Sequence, residues 1–168
     1  MKRMRWGYIW ISVILCVCLS ACERQNADTA ELLAELIEVS GELPDGEIYR
    51  SDAEEGSEGY LSPYLRESLY GENAEELFET VEEYAIYLSS FVVPIEIAIF
   101  RCYSATDAHQ IEAMCLNRAE SLRIALRGTE FEELTDSVRV LCRGRYVVML
   151  LTECQEEATQ KAQRWMEK

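Results

Sequence analysis

Apolar positions recur along this chain at two different spacings, and the change from one to the other marks its elements. Leu32, Leu33, Leu36, Ile37 and Val39 repeat at helical intervals behind Asp28 and Thr29, either of which can cap a helix, and Gly41 can end it. Residues 43–59 hold Pro44, Asp45, Gly46, Gly56 and Gly59 among acids and read as a surface loop. Helical spacing returns over Tyr60–Leu69, with Leu61, Tyr64, Leu65, Ser68 and Leu69, and again from Ala74, where Leu77, Phe78 and Val81 form the apolar side. Tyr84–Leu88 and Ile95–Cys102, rich in Ile, Tyr and Phe, read as two strands of a hairpin, with Pro94 placed before the second and not inside it.

The longest helical stripe follows. Ser104 and Asp107 form a capping box, Ile111, Cys115, Ala119, Leu122 and Leu126 share one face, and Gly128 supplies the stop. After an acidic link through Glu130, Glu132 and Glu133, the runs Val138–Cys142 and Tyr146–Leu151 are joined by Arg143, Gly144 and Arg145 as a tight hairpin. The second run is apolar without alternation, as a central strand covered on both faces should be. A last helix places Cys154, Ala158, Ala162 and Trp165 on one side. From Tyr84 onward the order is therefore ββαββα. It implies an α+β fold: an antiparallel four-stranded sheet with helices packed on it, preceded by N-terminal helices.

Ahead of that domain, Lys2, Arg3 and Arg5 precede an apolar stretch, Trp6–Leu19, that ends in small residues, the layout of an export signal. The stretch is about 14 residues long, shorter than the roughly 20 that a spanning helix needs. Leu19, Ser20, Ala21 and Cys22 look like a lipobox, in which the cysteine thiol takes a diacylglycerol before the signal is cut. An uncleaved anchor and an ordinary secreted precursor are the alternatives. The expected division is a signal over 1–21, a lipidated tether over 22–28 and one α+β domain over 29–168. The lipid on Cys22 would hold that domain to the extracytoplasmic face of the cell membrane, and a second acyl chain makes such anchoring stable.

Charge narrows the partners. Cleavage takes Lys2, Arg3 and Arg5 and no acid, so the formal charge goes from −15 to −18. Nucleic acid is excluded, because phosphate binding needs clustered Lys and Arg. The acid excess serves solubility, with a cationic partner or loosely held divalent ions as the sharper reading. Cys102, Cys115, Cys142 and Cys154 remain in the domain, none in a CxxC or zinc-ligand spacing. They read as buried free thiols, with one or two disulfides the alternative in an exported chain.

Candidate chemistry is sparse. The only histidine, His109, falls in the first turn of the long helix and reads as a surface residue; Cys115 and Cys102 are its formal thiol partners, but Cys115 lies on the apolar stripe and His109 does not. Glu75 with Glu76 and Glu82 with Glu83 are adjacent pairs that do not face one another on a helix. Asp52, Glu54, Glu55, Ser57 and Glu58 lack the ligand alternation of a calcium loop. No catalytic residue, metal set or cofactor is implied.

The residues Leu69, Tyr70 and Gly71, then Val81, Glu82, Glu83 and Tyr84, then Glu96, Ile97, Ala98, Ile99 and Phe100 carry a likeness. With the lipobox, the long helix and a terminal hairpin holding Tyr146 and Val147, the chain resembles, over residues 30–166, a family of small lipoproteins of clostridial-type Gram-positive bacteria, domain of unknown function 4358. The acidic loop before Tyr60 and the four domain cysteines depart from it. The resemblance implies location and architecture, and carries no activity. The expectation for function is a membrane-tethered, non-catalytic binding or accessory module of the cell envelope, whose partner is an envelope protein or a cationic molecule. A small envelope hydrolase and a cation or cationic-peptide sensor are the alternatives. Convergent carboxylates in a pocket would favour the hydrolase, and an aromatic groove with Tyr60, Tyr64 and Tyr70 the binding module.

Overall fold

The computed structural model of the protein describes residues 28–90 and 93–167. The expected signal and its lipobox, Leu19, Ser20, Ala21 and Cys22, lie outside them. None of the described helices is long and apolar enough to cross a membrane.

Helix α1, Thr29–Val39, begins where the Asp28 carboxylate accepts a hydrogen bond from the Ala30 N–H at 2.8 Å, which satisfies one of the donors every helix start leaves open. Its buried stripe is Leu32, Leu33 and Leu36. Next come β1 (Gly46–Arg50), α2 (Pro63–Tyr70), α3 (Ala74–Phe78), β2 (Val81–Ser89), β3 (Glu96–Cys102) and α4 (Ala105–Leu126). The chain continues through α5 (Glu132–Asp136), β4 (Arg139–Arg143), β5 (Tyr146–Leu151) and α6 (Gln155–Met166).

The fold is α+β, with helices on an antiparallel sheet, but the sheet has five strands where four were expected, in the order β1-β2-β3-β5-β4. The added strand lies inside what reads as a surface loop. It is an edge strand of which only Tyr49 is buried, so it carries no apolar alternation. The turn-like Gly46 is there for close approach: a Cβ at that position would lie 2.6 Å from the Leu88 carbonyl oxygen and 2.8 Å from the Tyr87 ring. The acidic link after α4 is likewise partly helical, as the short α5.

Strand alternation divides the core in two. Tyr84, Ile86, Ala98, Phe100, Val147 and Met149 face α2, α3 and α4. Ala85, Tyr87, Ile97, Ile99, Val148 and Leu150 face α1 and α6, where Ala158, Ala162 and Trp165 complete the layer. Val147–Leu151 is fully buried because helices cover both faces of β5. Gly144, at φ +60°, turns β4 into β5, a backbone region that side chains disfavour.

Capping of α4 follows from its sequence. The Ser104 hydroxyl accepts from the Asp107 N–H at 3.1 Å and donates to the Asp107 carboxylate at 2.7 Å. Ala108, Ile111, Met114, Cys115 and Ala119 are buried against the sheet. The same stripe continues to Leu122 and Leu126, which are only half-buried.

Candidate functional site

Register brings four residues into one transverse row near an end of the sheet: Glu47 opposite Leu88, Leu88 opposite Glu96, and Glu96 opposite Leu151. Two of the four are acids, Glu47 on the edge strand β1 and Glu96 on β3, which otherwise supplies core. Glu47 is at the open edge, whereas Glu96 is only 1% exposed.

A carboxylate at that depth needs partners, and two helices deliver them. Arg118 of α4 donates from Nε to Glu96 Oε2 at 3.0 Å, and the Tyr70 hydroxyl, on the last residue of α2, donates to Oε1 at 2.9 Å. Tyr70 is itself packed against Phe78 and edge-on to Phe100, with ring centroids 5.8 and 6.1 Å apart. Burial first, and then the neighbouring Glu96 charge, hold its hydroxyl well above its ordinary pKa, so it stays a donor. Glu96 thus ties α2 and α4 to the sheet.

Above this network lies a cavity of about 560 Å³, within the range of ligand-sized clefts. Leu65 and Leu69 of α2, Leu122 and Leu126 of α4, and Leu88 and Leu151 of the sheet give it an apolar wall. Asp45, Glu47 and the exposed Ala125 stand at its rim, and Glu96 and Arg118 at its base. The Tyr49 hydroxyl donates to Glu47 within the same wall, and burial followed by that contact pushes its pKa up to about 12. A second concavity between α2 and α4 includes Tyr70 and shares Leu69 and Arg118 with the first.

Other residues singled out in the sequence lie elsewhere. Glu82 and Glu83 pair with Arg101 at 3.7 and 2.7 Å, Glu82 also with Arg145 at 2.9 Å, and Glu75 with Arg66 at 3.3 Å. Glu75, Glu82 and Glu83 are therefore ion-pair partners of arginines elsewhere in the fold. Tyr64 is exposed while Tyr70 is buried, so the three N-terminal tyrosines make no shared groove. The four domain cysteines are free thiols: Cys102 and Cys115 are buried, Cys142 and Cys154 half-buried.

His109 is exposed, as its place in α4 implies, but neither Cys115 nor Cys102 is the thiol beside it. Its Nδ1 lies 3.1 Å from Glu112 Oε2 and 3.9 Å from Sγ of Cys142, on β4. The His109–Glu112 spacing of three is visible in the sequence as a shared helix face; the thiol, 33 residues further on, is not. Burial and the Glu112 carboxylate push the Cys142 thiol up to about 11.

No family model, curated protein or solved structure matches this chain.

Proposed function

We propose that this chain is an extracytoplasmic lipoprotein, anchored through Cys22, whose domain is a non-catalytic binding module for a small, largely apolar molecule. The observation that carries the binding role is the cavity between α2, α4 and the Glu47–Leu88–Glu96–Leu151 row, walled by leucines over a polar base. Apolar walls with a few placed polar groups are the usual make-up of a ligand pocket. Anchoring is supported by the lipobox and by the resemblance to small clostridial-type lipoproteins.

The carboxylates around the cavity favour binding over hydrolysis. Glu96 is held by Arg118 and Tyr70, and Glu47 accepts from Tyr49, so neither is presented unpartnered to a bound molecule. Asp45 and Glu47 at the mouth, in a chain of net charge −15, disfavour an anionic head group. The ligand is accordingly neutral or cationic at its outer end.

A photoreactive phenylalanine analogue replacing Ala125, at the mouth, tests this in intact cells. Irradiation should yield a small-molecule adduct of discrete mass on the full chain. The same analogue at the exposed Glu38 of α1 should yield none. Leu122→Trp, which fills the cavity, should reduce the adduct at position 125. A yield unchanged by that filling, or no small-molecule adduct at all, would remove the binding role.

A further inference from the structure

We infer that His109, Glu112 and Cys142 form a binding site for a divalent ion of zinc-like chemistry, separate from the cavity. One donor atom from each of the three falls within 4.8 Å of the others. His109 and Glu112 are one turn apart on α4, and Cys142 is delivered by β4, packed beneath that helix. Two elements that belong to the folded core thus converge three different donors on one point.

The separations suit a tetrahedral ion. Zinc bonds of about 2.0–2.1 Å to nitrogen and oxygen and about 2.3 Å to sulfur set the donor atoms roughly 3.3–3.6 Å apart. The His109–Glu112 contact is 3.1 Å and the His109–Cys142 contact 3.9 Å. Adjustments of a few tenths of an ångström bring the two His109 contacts into that range, and the exposed His109 is free to make them; the Glu112–Cys142 pair, within 4.8 Å, has at most about 1.2 Å to close.

Donor identity selects the ion. An imidazole nitrogen and a thiolate reject calcium and magnesium, which take oxygen ligands, whereas one nitrogen, one sulfur and one carboxylate oxygen together suit Zn2+. Binding through Nδ1 leaves the imidazole proton on Nε2. The Cys142 thiol releases its proton to solvent as the sulfur–metal bond forms, so one proton leaves per ion bound. Three protein ligands leave a fourth position to water. The acid excess of the chain raises the local concentration of cations.

Titration of Co2+ into the full chain, in detergent and without a histidine tag, tests the site. One equivalent should produce a near-ultraviolet thiolate-to-cobalt charge-transfer band, and Zn2+ should abolish it. Cys142→Ser should remove the band, and His109→Gln, an exposed change that spares the fold, should weaken Co2+ binding at least about tenfold, the least that losing even a supporting hydrogen bond costs. Cys154→Ser should leave band and affinity unchanged. No band at one equivalent, a band that survives Cys142→Ser, or an affinity indifferent to His109→Gln would each overturn the assignment.

Discussion

The Arg118 guanidinium lies 3.0 Å from the Glu96 carboxylate, with the side chains only 16% and 2% exposed, and this pair joins the long helix to the start of the central strand β3. Removing one partner strands the other's charge away from water. Arg118→Ala should therefore cost about 3–5 kcal/mol of stability, and Tyr70→Phe about 1–3, since the second leaves one carboxylate oxygen short of a donor. Replacing both charges, as Glu96→Gln with Arg118→Met, should cost less than Arg118→Ala alone. Urea unfolding of the three variants measures this; a loss below about 1 kcal/mol for Arg118→Ala would mean that water entering the cavity already solvates Glu96.

Central burial of β5 makes a contrasting pair of substitutions. Val148 is fully buried between β3 and β4, so Val148→Asp places an unpaired charge in the core, at a cost comparable with the whole stability of a domain, about 5–15 kcal/mol. Glu133 is exposed in the first turn of α5, and Glu133→Lys forfeits only a favourable helix-dipole contact of roughly 0.3–1 kcal/mol. Thermal melts followed by circular dichroism should show no cooperative transition for the first and a nearly native one for the second.

Alkali should destabilise the domain in a defined window. Burial first, then Asp107 and Cys142, push the Cys102 thiol from 9.0 to about 12, and burial with Glu96 holds the Tyr70 hydroxyl well above 10.0. Both groups keep their protons longer folded than unfolded, so the unfolded chain binds fewer protons in this range and stability falls as pH rises. The contribution is complete below pH 9.0, the unfolded thiol value, and is lost progressively toward about 12. Denaturation midpoints should match at about pH 7 and 8 and drop by about pH 11. Cys102→Ala, less stable at neutral pH, should decline less steeply.

The proposed anchoring rests on one thiol. Cys22→Ala should abolish metabolic labelling with a palmitate analogue and either leave the precursor uncut or release the protein to the medium. Mass spectrometry of the mature N-terminus decides it: an end elsewhere than Cys22, or no acyl mass on that residue, contradicts the lipobox reading.

Local pattern was enough for most of the elements. Asp28 and Ser104 cap helices because their side chains reach N–H groups two and three residues away. Val147–Leu151 was legible as a doubly covered strand because five successive apolar residues leave no face for water. The unalternating edge strand β1 leaves no such pattern, since its pairing with β2 is made by backbone groups that any residue carries.

Tertiary structure alone decided the sites. By strand pattern Glu96 is a polar residue at the start of an apolar run; its burial depends on donors from Arg118 and Tyr70, 22 and 26 residues away. Likewise Cys142 meets His109 only because β4 packs beneath α4, 33 positions along the chain. Periodicity tells which face of its own element a side chain occupies, over a few residues of chain. Which helix then lies over that face, and which of its residues reaches the carboxylate or the thiol, depends on strand register and helix placement, and those are settled by packing of the whole core.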